Sequence, residues 1–497
     1  MSNELDGYFS ETAYPSLFHE RLTPANLSAM ARRHGWAAPD LCRAFRMLDI
    51  GCGDGLGLAL TAASHPEARF EGLDGMAEHI ARGRAFGAGL NNLDLTHALF
   101  DEALAQQDPP CDFVTMHGVI AWVPPLVRGQ AMDLAAQRTA PGGICAISYN
   151  ALPGWTDDLT YQHTVYNLAR SKEGSGFQRF RAAHDQVRAM AGLNLPGLGA
   201  DVTDRVEDLF AQMPPDYFPH EYLNDAWQPL WSADVKAQMA ARGLTYLGQA
   251  IMDRTRPDLT LRSGQRAALE EVEGEIHRDS LVDVIRNTRF RIDLYGKDPQ
   301  PAVPEAFDTT WLVAHCDADV ELSVRGPAGT IRFDNPAARG VVTALQSGPA
   351  RLDRLAEDLG LGLPDVRNAV DCLLIARLVR PAAPPAATEI AEVLNTRLAN
   401  SALTPQGPDI LALAGAHGPM DARAIEVALH ATSPADILSA AASEPVIRAR
   451  YLASDADLDD PETAISAAEI SQEVRRRMIR LGVPVRNSSL PEPRAAR

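Results

Sequence analysis

Short apolar runs alternate with amphipathic stretches through the first third of the chain. Phe45, Met47, Leu48 and Ile50 read as a buried strand of a parallel sheet. Leu56–Ala63 follows as a helix, Ala68–Asp74 as a second strand and Met76–Gly83 as a second helix. Leu93–Leu99, Asp112–Met116 and Ile144–Ser148 supply three more strands, the last preceded by a helix over Ala131–Thr139 and a turn at Pro141-Gly142-Gly143. This alternation, with connections of ordinary length, predicts an α/β fold built on a Rossmann-like, doubly wound parallel sheet. Ligands of such sheets sit at the carboxyl ends of the strands. That rim would gather the loop after the first strand with Asp74, Asp101, His117, Tyr149 and Asn150.

The pattern changes on either side of the sheet. Residues 1–44 form an aromatic leader with a helix bearing Leu27, Met30, Ala31 and His34 on one side, and 45–155 carry the five strands. Residues 156–300 read as a mostly helical middle domain, with Tyr161, Val165 and Leu168 at helical spacing. After a linker at Asp298–Pro304, Thr310–Phe333 alternates like strands. Short helices then carry Leu352, Leu355 and Leu359, followed by Val366, Val370 and Leu373. This suggests a winged-helix-like domain over 301–385. A helical region at 386–485 and a disordered tail at 486–497 complete the chain.

The chemistry concentrates where the first strand ends. Gly51, Gly53 and Gly55 alternate in GCGDG, and lacking Cβ atoms they let a ligand approach the backbone. Asp74 lies about 20 residues on, at the tip of the second strand, where an acid accepts bonds from ribose hydroxyls. A dinucleotide fingerprint would read G-x-G-x-x-G and hold pyrophosphate. Here Asp49 and Asp54 put two carboxylates in the loop, which repel pyrophosphate but suit the ammonium and sulfonium of S-adenosylmethionine. The expected cofactor contacts are Asp49, Gly51, Cys52, Gly53, Asp74 and Gly75, with Tyr14 from the leader supplying an aromatic face. Asp101, just past the third strand, would meet the adenine amine. His117 would position the cofactor or take a proton, and Tyr149 and Asn150 would orient the acceptor.

Length and charge narrow the partners. A chain of 497 residues implies two or three domains. The formal charge of -19 disfavours nucleic acid and suits a basic, lysine-bearing partner. In the winged-helix-like region, the helix opening Pro364-Asp365-Val366-Arg367-Asn368 also carries Asp371, which a DNA backbone would repel. The start has neither a basic n-region nor an apolar h-region, and no apolar run reaches membrane-spanning length, so a cytoplasmic protein without membrane insertion is expected. Six scattered cysteines without a C-x-x-C pair fit free thiols. His220-Glu221 lacks the H-E-x-x-H spacing, so no metal is expected. A homodimer is left open.

LDIGCGDG resembles motif I of the class I methyltransferases. With YFSETAYPSLFHERL, HGVIAWVP, SYNALPGW, FPHEYLNDAWQPLW, GLTYLGQA and IRNTRFRIDL, the chain is similar to bacterial class I methyltransferases that carry a methyltransferase regulatory domain, a group that includes the rickettsial protein lysine methyltransferases. The resemblance covers residues 8–295. It implies S-adenosylmethionine as cofactor, an all-helical middle domain that helps to bind substrate or partner, and protein lysine as acceptor. The alternatives are a small-molecule N- or O-methyltransferase and a non-catalytic cofactor-binding regulator. One departure is Ile120-Ala121-Trp122, where the group is expected to carry a Tyr-Ser-Trp type sequence; a hydroxyl pair near the acceptor is missing.

Overall fold

The computed structural model describes residues 18–384 except 192, 194–196, 200, 211–212 and 327–328, together with Phe9, Glu11, Tyr14 and two short strands, Ile410–Leu411 and Gly418–Pro419. Apart from those two strands, the expected helical region at 386–485 and the tail at 486–497 lie outside the described residues.

The leader ends in helix α1 (Pro24–Arg33), which starts cleanly because Thr23 Oγ1 accepts from Asn26 N and Pro24 occupies the first turn. Five strands then alternate with helices: β1 (Arg46–Ile50), α2 (Leu56–Ser64), β2 (Arg69–Asp74), α3 (Ala77–Phe86), β3 (Leu93–His97), α4 (Phe100–Leu104), β4 (Cys111–Met116), α5 (Pro125–Arg138) and β5 (Thr139–Asn150). All five pair in parallel, and the chain reverses direction across the sheet between β1 and β4. That reversal opens the crevice in which such sheets bind ligands.

The sheet does not stop at β5. Strand β7 (Phe290–Lys297) pairs antiparallel with β5, and β6 (Leu244–Gln249) pairs antiparallel with β7, giving the order β3-β2-β1-β4-β5-β7-β6. Residues 156–300 are therefore mostly helical, as expected, but not wholly so. Their last third returns to finish the catalytic sheet, and a boundary at 155 cuts that sheet in two. The part standing apart from it is a helical insertion between β5 and β6. Its helices Leu159–Ala169, Gly176–Ala191 and Tyr217–Tyr222 enclose a core around Tyr161, Phe180, Phe218 and Tyr222.

Strand β7 holds an ionic cluster. Arg291 is fully buried and its guanidinium reaches Asp279 at 2.7 Å, Asp283 at 2.5 Å and Asp293 at 2.8 Å. Lys236 joins through Asp279. Buried charges are tolerated only when paired in this way.

Downstream, strand β8 (Trp311–Ala314) lies between β11 (Ala350–Arg351) and β12 (Val379–Ala382), with the hairpin β9 (Ser323–Gly326) and β10 (Gly329–Arg332) beside them. Helices Pro336–Ala344, Leu352–Leu359 and Leu363–Ile375 pack on this small sheet and share a continuous hydrophobic core with the first unit. The helix Leu363–Ile375, whose acids argued against a DNA-facing role, is turned inward. Asp371 is buried and pairs with Arg33 of α1 at 2.7 Å and with Arg256 at 3.1 Å, while Arg367 pairs with Asp308 at 2.6 Å. Its charged residues hold the unit to the body of the protein.

Candidate active site

The glycine loop turns under the carboxyl end of β1. Gly51, Gly53 and Gly55 all have positive φ, and a Cβ on Gly51 would stand 2.5 Å from the Val119 side chain. The Gly51 and Cys52 amides donate to Leu73 O at 2.8 and 3.0 Å, which fixes the loop to β2. Asp54 lines the same cavity as Asp49 and also helps to start α2: its Oδ1 accepts from Leu56 N at 3.2 Å and its Oδ2 pairs with Arg82 at 3.2 Å.

Asp49 is the acid that stays available. Its only hydrogen-bond donor among the described residues is the Thr115 hydroxyl, at 2.7 Å. Burial pushes its carboxyl up to about 7, against the lowering effect of that hydroxyl, and the charge of Asp74 adds to the rise. Asp49, Gly51, Cys52 and Gly53 line a cavity of about 120 Å³ together with Thr115 and His117. Tyr14 and His19 of the leader form the opposite wall.

Asp74 anchors a network just outside that wall. Its carboxylate accepts from Gly53 N at 2.9 Å, Met76 N at 2.8 Å and His79 Nδ1 at 3.1 Å. Tyr14 N donates to His79 Nε2 at 3.0 Å, so the imidazole proton sits on Nδ1 and the leader is tied to the acid through one neutral ring. Gly75 follows on the rim, where its carbonyl meets His97 Nε2 at 3.1 Å. Asp101 lies just past β3, as the sequence suggests. The chain coils into α4 one residue earlier, and Asp101 is exposed in its first turn, accepting from Glu102 N at 2.9 Å. It does not line the cavity.

His117 is half-buried against His19, with ring centroids 3.6 Å apart, and its Nδ1 meets Ser148 Oγ at 2.7 Å. Burial, with the nearby His19, holds its pKa well below the usual imidazole range, and burial alone takes His19 down to about 4. Both rings are neutral at pH 7. A neutral His117 of such low basicity suits packing and positioning better than proton uptake.

The two β5 residues part company. Strand β5 runs on to Asn150, so successive side chains alternate between faces. Tyr149 is fully buried on the α5 side and donates to Asp293 at 2.7 Å, inside the Arg291 cluster. It is a structural residue, and the expectation that it orients an acceptor is corrected here. Asn150 shares the Ser148 face and is buried, with its amide set against the Glu221 carboxyl.

Beside Asn150 lies a residue that the sequence reading weighed only as a metal ligand. Glu221, from the insertion helix Tyr217–Tyr222, is buried next to Asn150, Tyr217 and Tyr14. Burial raises its carboxyl to about 7, opposed by Tyr217, Arg289 and Asn150. The signal available was an acid inside a stretch as aromatic as YFPHEY. One grouping among the described residues has metal-like spacing, His184, Asp185 and Glu207, but Glu207 already serves Arg181 at 3.1 Å and Arg188 at 3.0 Å.

The wider comparisons agree with this geometry. A family model described as a methyltransferase domain matches residues 47–143, and one described as a predicted methyltransferase regulatory domain matches 214–297. The chain carries a methyltransferase domain followed by a methyltransferase regulatory domain. Its cofactor is S-adenosylmethionine, and the half-buried Asp49 carboxyl beside the glycine loop, with no cation paired to it among the described residues, is the feature that fits it. An uncharacterized protein of Synechocystis is 26% identical over 71% of this chain and 71% of its own length. A trans-aconitate 2-methyltransferase of Streptomyces avermitilis is 28% identical over 32% of this chain and 58% of its own. The solved structure of PKMT2 from Rickettsia typhi with AdoHcy superposes with a TM-score of 0.69 at 17% identity, covering 94% of this chain and 99% of that one, which is a likeness of fold.

For this methyltransferase the state of Asp49 has a measurable consequence. Free enzyme carries the protonated carboxyl below about 7, whereas the methionine ammonium favours the carboxylate. Association below that pH therefore releases a proton, and affinity should rise with pH by up to about tenfold per unit until pH 7 is reached. Calorimetric titrations from pH 5.5 to 7.5 check this. Asp49→Asn should bind weakly and without that slope, and a slope that persists in the variant excludes Asp49 as its source.

Proposed function

We propose that this methyltransferase transfers the methyl group to a lysine side chain of a protein acceptor. The observation that carries the reading is the pair Asn150 and Glu221. A buried carboxyl and the amide set against it stand beside Tyr14, next to the wall of the cofactor cavity. A carboxyl there holds an incoming ammonium and repels an acidic substrate. The likeness in fold to PKMT2, a rickettsial protein lysine methyltransferase, supports the same acceptor class.

The cofactor, when bound, supplies an activated methyl on sulfur, and the chain supplies alignment and desolvation. Asp74 and the glycine loop would hold the nucleoside, and Asp49 would face the ammonium. Tyr14 and His19 would cover the site and exclude water. Asn150 and Glu221 would hold the acceptor amine, and Glu221 would take the proton that the amine must lose to become a nucleophile. Burial raises Glu221 toward 7 and lowers a desolvated amine, so the two approach each other.

The trans-aconitate methyltransferase match favours a second reading, a small carboxylic acid as acceptor. Arg289 would be the cation for it, but Arg289 is already paired with Asp158 and stacked over Trp155 at 4.1 Å. The two readings separate when the full chain is incubated with isotope-labelled S-adenosylmethionine in a lysine-rich protein mixture and in a pool of small acids and amines. Label on protein lysines is expected. Label confined to small molecules overturns the protein acceptor, and no label in either pool returns the chain to a non-catalytic role.

A further inference from the structure

A second and larger cavity, of about 460 Å³, lies between the catalytic unit and the 311–382 unit, remote in sequence from the glycine loop. Its charged lining is unbalanced. Among the described residues four arginines contribute, Arg21, Arg286, Arg377 and Arg380, against two acids, Glu20 and Asp253. Both acids are committed: Glu20 pairs with Arg380 and Asp253 with Arg286. In a chain of net charge -19, a pocket left with two surplus cations goes against the overall composition.

The surplus falls on Arg21 and Arg377. Neither guanidinium makes a hydrogen bond or ion pair among the described residues. They are near enough to repel, because Arg21 is held below the usual guanidinium range by burial and then by the charge of Arg377, with Glu20 and Asp253 opposing. A third donor is also unused: Arg286 Nη1 is buried and without a partner.

Arg377 adds an independent sign. It follows the helix Leu363–Ile375 with φ of 59°, and the closing bonds Arg377 N to Leu374 O (3.1 Å) and Leu378 N to Leu373 O (3.0 Å) form a helix stop. Glycine is the usual residue there, because a Cβ in the left-handed region is unfavourable. An arginine's charge is favourable at a helix C-terminus, but its Cβ keeps the backbone cost that a glycine would avoid. A ligand that uses the side chain would account for its place there.

We infer that this cavity binds a small dianion of the phosphomonoester type, bridging Arg21 of the leader and Arg377 of the 311–382 unit, with Arg286 Nη1 and the Ser323 hydroxyl as further donors. Planar guanidinium groups recognise phosphate oxygens by paired hydrogen bonds, and two of them neutralise a dianion. The volume leaves room for a small organic group on the phosphate. The ligand would act on the methyltransferase site through the leader, since Arg21 lies two residues beyond His19, which stacks on His117.

The test uses the full chain, with inorganic phosphate and phenyl phosphate as probes and sodium chloride at matched ionic strength as control. Calorimetry should give a saturable isotherm for both probes in the millimolar range or tighter. Arg377→Gly should fold as well as the parent, because it relieves the left-handed backbone, yet bind about tenfold or more weakly. Arg21→Gln, at the opposite wall, should weaken binding in the same way with S-adenosylmethionine affinity measured alongside to establish that the protein is intact. The absence of saturable phosphate binding by the parent, or equal binding by the parent and both variants, overturns the site.

Discussion

Asp74→Ala should weaken S-adenosylmethionine binding by about 1.5–3 kcal/mol, the scale of hydrogen bonds to a charged group, which corresponds to roughly 10- to 150-fold in Kd. Two losses combine. The ribose loses its acceptor, and the Gly53 and Met76 amides with His79 lose the carboxylate that organises them at 2.8–3.1 Å. Asp74→Asn separates these effects. It retains one acceptor oxygen for the loop while removing the charge, so it should fall between the parent and the alanine variant. Calorimetry on each variant, with a thermal melt as control for folding, decides the matter. Parental affinity in a folded Asp74→Ala protein removes Asp74 from the cofactor site, and with it the network that ties Tyr14 to the acid.

Glu221→Gln should leave cofactor affinity almost unchanged while lowering turnover on an amine acceptor by about 10²–10⁴-fold, the range for loss of a positioned proton acceptor. Glutamine preserves the shape of the buried side chain and its contact with Tyr217, so the change isolates charge and basicity. The pH profile is the sharper readout. Glu221 titrates near 7 and must be ionised to act, so the parental rate climbs as pH rises through 7 and levels above it. In Glu221→Gln that limb should vanish, leaving only the slower rise due to the amine itself. If both proteins keep the same limb, the proton goes elsewhere and Glu221 merely packs against Asn150.

Much of the catalytic frame was readable from residues alone, because its signals are local. An apolar run, three glycines and an acid at the next strand tip sit within 30 residues of one another, and the structure gathers most of them at one rim. Strands β6 and β7 were harder. Arg291 and Asp293 lie two apart on β7 and read as a solvated face, whereas burial with Asp279 and Asp283 neutralises them inside the sheet. Their partners come from other elements, so nothing local reports the pairing. Tyr149 needed only the two-residue period of a strand: once Asn150 faces the site, its neighbour faces away. Asp101 turned on whether a loop or a helix follows β3, and capping of α4 by Glu102 at 2.9 Å settles that over a span too short for periodicity. Glu221 lay far along the chain in an aromatic helix, and its meaning depends on Asn150, which only the fold brings near.

The delayed arrival of β7 matters for synthesis. Strand β5 ends at Asn150, but its antiparallel neighbour begins at Phe290, after 139 intervening residues have been made. At bacterial or cellular elongation rates of about 5–20 residues per second, the nascent chain spends roughly 7–28 s with an open apolar strand edge and an unmatched Tyr149 hydroxyl. An edge of that kind recruits other strands. The helical insertion Leu159–Tyr222 emerges during this interval with a core of its own, so the ribosome-bound chain has a compact body beside the unfinished sheet. Folding of that insertion is therefore interposed between the two halves of a single sheet.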